Sequence, residues 1–217
     1  MKFFVDSADI DEIERLADMG LVDGVTTNPA IIAKTGKKIH QVLEDLCDIV
    51  SGPVSAQVIS QDMDGMLREA GNLSKIAPNI TIKVPLTEAG LRACTRLRER
   101  DVMVNVTLCF STTQALLAAK AGATFVSPFV GRLDDYGHDG MKVIEQIITC
   151  FRNDPQIATE VLVSSVRNPN TMVKAAELGA HVATAAPEIY YKMIEHPLSE
   201  KGLAQFLKAW ETAGQSI

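Results

Sequence analysis

Short runs rich in β-branched and aromatic residues recur eight times along the chain, each followed by a stretch with helical period. This alternation limits the fold more than any other feature, because parallel strands need a crossover and a helix supplies it. The runs are Phe3-Phe4-Val5, GVTT from Gly24, VSAQV from Val54, ITIKV from Ile80, VMVNV from Val102, FVSPFV from Phe125, VLVSS from Val161 and HVAT from His181. Eight such units in succession predict an α/β fold, a single-domain (β/α)8 TIM barrel. The rival architecture is a doubly wound open sheet. It should carry a Gly-rich nucleotide loop after an early strand, and neither G-x-G-x-x-G nor the Walker A pattern occurs.

The segments between the runs carry helix start and stop signals. Ser7 and Asp9 precede a stripe of Ile10, Ile13, Leu16 and Ala17, and Gly20 stands where a left-handed residue should end the helix. Thr87 opens a second stripe through Gly90, Leu91, Cys94 and Leu97, and Ser111 opens a third. Connections are short and no Pro- or Ser-rich linker divides the chain, so residues 1–217 are expected to form one domain. After the eighth run come two helical stretches, Glu188 to Glu195 and Ser199 to Trp210, separated by His196-Pro197. The second exceeds what closing a barrel requires. Its stripe of Leu203, Phe206, Leu207 and Trp210 must cover either the barrel's own outer surface or a neighbouring subunit.

A formal net charge of -6 argues against a general nucleic-acid binder, which needs a basic face to displace counterions from phosphates. No apolar run reaches the roughly 18 residues of a membrane span. The start MKFFVDSADIDEIE turns acidic where a secretory segment would stay apolar, which points to a cytoplasmic protein. Cys47, Cys94, Cys109 and Cys150 are isolated from one another and from histidines, so they read as reduced core thiols and no zinc or redox motif is visible.

In a barrel, chemistry collects where strands end and βα loops begin. The residues at those positions are Asp6, Thr26, Asn28, Gln57, Lys83, Thr107, Phe129 with Arg132, Ser165 with Arg167, and Thr184. Within Ile80-Thr81-Ile82-Lys83-Val84-Pro85 the period of two sets Lys83 opposite Ile80 and Ile82, on the face that can point into the barrel. A buried lysine loses its proton more readily, and a neutral amine can attack a carbonyl. The bland alternative is a strand-end lysine whose stem reaches solvent.

Asp6 can take and return a proton at a substrate hydroxyl, or it can simply cap the helix that follows. Asn28 can donate and accept with sugar hydroxyls, or form an Asn-Pro turn. Gln57, polar within an apolar strand, needs partners, and a water shared with Thr107 would satisfy both. Arg132, Ser165 and Arg167 suit an anion such as phosphate, with Arg132 paired to Asp134 or Asp135, and Arg167 solvated, as the plain alternatives. His138, in an acidic Gly-flanked loop, is left outside the site.

The strings FFVDSADIDEI, GVTTNPAII, ITIKVPLT, SPFVGRLDD and SSVRNP, in this order and with the final Trp-bearing helix, resemble the small transaldolase family. That family also contains fructose-6-phosphate aldolase, and the resemblance covers essentially the whole chain. It implies a class I aldolase barrel without metal or cofactor, in which Lys83 forms the Schiff base and Asp6 transfers protons. Thr26 and Asn28 would meet the dihydroxyacetone hydroxyls, and Arg132, Ser165 and Arg167 the phosphate. It also implies homo-oligomers, pentamers or decamers, that exchange C-terminal helices.

The implied reaction moves a dihydroxyacetone unit from sedoheptulose 7-phosphate or fructose 6-phosphate to an aldose phosphate, glyceraldehyde 3-phosphate or erythrose 4-phosphate. This is a step of the non-oxidative pentose phosphate pathway. Two positions divide the branches of the family. Gln57 resembles the aldolases, which carry glutamine where transaldolases carry glutamate. Phe129 resembles the transaldolases, since the aldolases carry a tyrosine there. The SPFVGRLDD and SVRNP runs also resemble transaldolase, which is therefore the preferred expectation. Fructose-6-phosphate aldolase is the alternative, and a non-catalytic sugar-phosphate-binding barrel a further one, motivated by Gln57.

Overall fold

The computed structural model describes residues 1–216. Eight parallel strands close into a barrel in chain order: β1 (Lys2–Asp6), β2 (Gly24–Thr26), β3 (Val54–Gln57), β4 (Ile80–Pro85), β5 (Val104–Cys109), β6 (Phe125–Pro128), β7 (Glu160–Val166) and β8 (Val182–Ala185), with β8 pairing back onto β1. This is the expected (β/α)8 barrel. The fifth strand begins at Val104, two residues into its apolar run.

Around it lie α1 (Ile10–Asp18), α2 (Pro29–Lys34), α3 (Ile39–Ile49), α4 (Met63–Leu73), α5 (Glu88–Arg98), α6 (Thr112–Lys120), α7 (Val130–Asp135), α8 (Gly140–Arg152), α9 (Pro169–Leu178), α10 (Pro187–Ile194) and α11 (Pro197–Thr212). Two crossovers, those after β2 and β6, hold a short extra helix at the mouth of the barrel, α2 and α7. The helix starts follow the sequence signals. The side chains of Asp9, Thr87 and Ser111 accept from the backbone N–H of Glu12, Gly90 and Gln114 at 3.3, 3.1 and 3.2 Å. Each such cap contributes about 1 kcal/mol by satisfying an orphan donor. Gly20, with φ +71, ends the first helix in the left-handed conformation.

Strand alternation sorts the side chains. Ile80, Ile82 and Val84 are buried against the helices, so Thr81 and Lys83 turn to the other face, into the barrel. The lower interior is filled by Phe4, Phe125, Leu162 and Val182, which form a cluster separate from the main core. The rings of Phe4 and Phe125 meet edge to face at 5.8 Å. Gly24 makes room for this plug, since a Cβ there would lie 2.6 Å from the Phe4 ring.

Above the plug the interior turns polar. Ser127 Oγ donates to Asn105 Oδ1 at 2.6 Å, and Asn105 Nδ2 donates to Ser55 Oγ at 3.2 Å. Buried polar groups are tolerated when paired in this way. The barrel is thus closed by carbon at one end and lined by hydrogen-bonding groups at the other.

The last helix departs from the sequence expectation in its start, and its surroundings exclude one of the two expected covers. It begins at Pro197 rather than Ser199, because proline presets the backbone at the first helical position and His196 Nδ1 accepts from Leu198 N–H at 3.2 Å. None of its residues is buried, and Phe206 is 76% exposed, so the apolar stripe does not cover the barrel of its own chain. Among the described residues no helix is long and apolar enough to cross a membrane.

Candidate active site

Lys83 is 4% exposed at the upper end of β4, and its Nζ donates to the backbone carbonyl of Thr27 at 3.1 Å. Among the described residues no carboxylate oxygen lies within 4.0 Å of it. Loss of water around the ammonium lowers the lysine pKa. The charge of Asp6 opposes this and the charge of Arg132 adds to it, with burial the largest of the three. The amine therefore gives up its proton more readily than an exposed lysine does. In the sheet register Lys83 faces Gln57 on β3 and Asn105 on β5. Two residues beyond Asn105, the hydroxyl of Thr107 is buried and has no hydrogen-bond partner among the described residues.

Asp6 ends β1, and its Oδ1 accepts from Thr26 Oγ1 at 2.6 Å. Thr26 Oγ1 also lies 2.7 Å from Thr184 Oγ1 on β8. Asp6 does not cap α1, because Asp9 takes that place and Ser7 Oγ accepts from Asp9 N–H at 3.0 Å. Asn28 does cap a helix. Its Oδ1 accepts from the N–H groups of Ala30 and Ile31, both at 3.0 Å, which leaves the Nδ2 donors for a ligand.

On the opposite side of the mouth, Phe129 precedes α7 and meets Phe110 edge to face at 5.9 Å. Arg132 rests its guanidinium over the Phe129 ring, 4.7 Å from the centroid, a cation–π contact. The plain alternative for Arg132, an ion pair with Asp134 or Asp135, does not form. Asp135 is instead held by both terminal nitrogens of Arg167, so Arg167 is an exposed cation, as in its alternative reading, but an ion-paired one. The cause is geometry: on the short helix α7 Asp135 faces β7, from whose end Arg167 extends, while Arg132 turns to the barrel mouth.

Ser165 has φ +61, within an irregularity of β7 between Val163 and Val166. Such a bulge lets successive side chains share one face, and both Ser164 and Ser165 line the cavity at the mouth. Gly131 packs tightly on this turn, where a Cβ would come 2.3 Å from the Ser165 carbonyl oxygen.

The cavity, about 100 Å³, is lined by Asp6, Thr26, Asn28, Lys83, Phe129, Arg132, Ser164 and Ser165. Its size suits a few reacting atoms, with the remainder of a larger ligand extending out past Arg132. Gln57, Thr107 and Arg167 lie outside this lining, Gln57 and Thr107 on the strands next to Lys83 and Arg167 at the outer side of the rim. Asn105, Ser127, Ser164 and the carbonyl of Thr27 were not singled out by sequence. The first three carried a usable signal, being polar residues of inward parity within apolar strands; a backbone carbonyl carries none.

Fold and rim together define an enzyme of the α/β-barrel class with an amine and a carboxylate at its mouth. Residues 3–217 match the Transaldolase/Fructose-6-phosphate aldolase family, and the chain belongs to that family. A probable transaldolase of Rhodospirillum centenum is 54% identical over 217 residues, covering 100% of this chain and 94% of that protein. One of Jannaschia sp. is 56% identical and covered completely in both directions.

Among solved structures, a flavocytochrome b2 mutant with pyruvate bound superposes with a TM-score of 0.62 at 13% identity, over 86% of this chain and 56% of that one. A thiamine phosphate pyrophosphorylase from Pyrococcus furiosus gives 0.59 at 10% identity over 85% of each. At such identities these two share only the fold.

Proposed function

We propose that the chain is a transaldolase that carries a dihydroxyacetone unit from fructose 6-phosphate or sedoheptulose 7-phosphate to an aldose phosphate through an imine on Lys83. The observation that carries this mechanism is the Lys83 amine, 4% exposed, short of its ordinary basicity and sharing a small cavity with Asp6 and Arg132.

The amine adds to the C2 carbonyl, and loss of water gives an iminium that draws electrons from the neighbouring bonds. Asp6 takes the C4 hydroxyl proton, the C3–C4 bond breaks, and its electrons collapse into the enamine on Lys83. The aldose phosphate leaves. An acceptor aldehyde then enters, the enamine attacks it, Asp6 returns the proton, and water releases the new ketose. Asn28 Nδ2 suits a hydroxyl of the dihydroxyacetone unit, with Thr26 supporting Asp6. The unpartnered Thr107 hydroxyl and Gln57 suit the water that is lost and regained at the imine.

Arg132 and Ser165 suit the phosphate that projects from the cavity. Arg167 contributes to the same anion site from the outer side, its charge shared with Asp135. The uncovered stripe of α11 supports a homo-oligomer in which a second copy receives it, and the four free cysteines support a cytoplasmic setting.

A second reading, fructose-6-phosphate aldolase, is favoured by Gln57, which resembles that branch. Fructose 6-phosphate incubated with and without erythrose 4-phosphate separates the two. Glyceraldehyde 3-phosphate formed only with the acceptor supports transfer, and equal release in both tubes supports cleavage with free dihydroxyacetone.

A further inference from the structure

We propose that Thr184 is a positioning residue for Asp6, acting through Thr26; the inference rests on the Schiff-base reading above. Three oxygens from three adjacent strands stand in a row: Thr184 Oγ1 on β8, Thr26 Oγ1 on β2 and Asp6 Oδ1 on β1, at 2.7 and 2.6 Å. Both hydroxyls are buried, Thr184 at 2% and Thr26 at 1% exposure. A threonine has one proton to give. Thr26 gives its proton to the carboxylate, so Thr184 must be the donor in the contact between the two hydroxyls. The row therefore has a direction, from Thr184 through Thr26 to Asp6.

This direction fixes two things in the reaction. Thr26 is held in the rotamer that aims its proton at Oδ1, and the donor behind it polarises that bond further. Among the described residues Oδ2 has no hydrogen-bond partner, so it is the oxygen left to take the C4 hydroxyl proton. Without Thr184 the Thr26 hydroxyl is free to rotate, and its proton can go to a substrate oxygen instead. Asp6 then loses its fixed orientation during the step in which the C3–C4 bond breaks. Among the described residues the Thr184 hydroxyl makes no other hydrogen bond, and a valine would fill the same space on β8 without burying a polar group.

The experiment compares the parent with Thr184→Val and Thr184→Ser in the transfer of dihydroxyacetone from fructose 6-phosphate to erythrose 4-phosphate. Reductive trapping of dihydroxyacetone on Lys83, followed by mass spectrometry, runs beside it. T184V is expected to lower kcat by roughly 3–10-fold, the worth of one neutral hydrogen bond, with KM changed by less than about 2-fold. T184S, which regains the hydroxyl, is expected to restore most of kcat. Trapping, which breaks no carbon–carbon bond, should proceed alike in all three proteins.

If T184V gives no cooperative melt, Thr184→Ala takes its place with the same expected loss and rescue. A valine variant with parental kcat, or one altered in KM alone, overturns the inference while leaving the Schiff base standing. A parent that traps no dihydroxyacetone overturns the Schiff-base reading and this inference with it.

Discussion

Replacing Gly131 by alanine tests whether the close packing of α7 on the end of β7 sets the position of the phosphate. The added methyl would meet the Ser165 carbonyl oxygen at 2.3 Å, the Arg167 Nε at 2.8 Å and the Ser165 Oγ at 2.9 Å. Ordinary contact begins near 3.4 Å, and the nearest atom is backbone, so the helix and the strand end must separate by about 1 Å. Arg132 sits one residue further along α7 and Ser165 is the very residue displaced, so the two proposed phosphate groups move apart.

A misplacement of that size costs up to about 100-fold in rate. The expected loss in kcat/KM for fructose 6-phosphate is therefore about 10–100-fold, against a stability loss of only about 1–3 kcal/mol from overpacking. The assay is initial-rate transfer to erythrose 4-phosphate, with thermal unfolding to confirm a folded barrel. Dihydroxyacetone, which has no phosphate, serves as internal control: its reductive trapping on Lys83 should stay within about 3-fold of the parent, because β4 is untouched. A folded G131A protein with parental kcat/KM, or one whose trapping falls as far as its turnover, would refute the reasoning.

Lys83→Met should abolish transfer and raise stability by about 1–2 kcal/mol, since an apolar side chain of similar length removes the cost of burying an amine. The gain has a pH dependence with a definite sign. The native state binds fewer protons than the unfolded chain between the lowered Lys83 pKa and the ordinary lysine value near about 10.4. Parental stability attributable to Lys83 therefore rises with pH through that window. The difference in Tm between K83M and parent should be largest at the low end and shrink toward pH ~10; a gap that widens with pH contradicts the sign.

Thr107→Val should leave Tm unchanged or raise stability by up to about 1 kcal/mol, because it deletes a buried hydroxyl with no partner among the described residues, while kcat falls. A clear drop in Tm would show that the hydroxyl is already satisfied. Phe206→Asp should reduce the assembly mass measured by light scattering without unfolding the barrel, since no residue of α11 is buried in its own chain; an unchanged mass would remove α11 from the interface.

Much of this architecture is legible in the chain because it rests on local periods. Eight apolar runs and the caps at Asp9, Thr87 and Ser111 are written within a few residues of where they act, and the parity of Lys83 follows from its neighbours Ile80 and Ile82. What could not be read depends on closure. Thr184 and Asp6 are distant in sequence, and Thr26 can link them only because β8 returns to β1. The pairing of Asp135 with Arg167 was not legible for a related reason: α7 has six residues, too few to show a period, so its orientation against β7 had no signature in sequence. The carbonyl of Thr27 that accepts the Lys83 hydrogen bond belongs to the backbone and leaves no trace in residue type.

The plug of Phe4, Phe125, Leu162 and Val182 has a kinetic consequence. It makes the barrel a vessel with one opening, so whatever reaches Lys83 must leave by the route it entered. On the proposed reaction, the departing aldose phosphate and the incoming one use the same space above the amine and cannot be present together. The mechanism is then obliged to alternate. Double-reciprocal plots at several acceptor concentrations should run parallel, and an excess of either aldose phosphate should slow turnover by occupying the opening before the donor can.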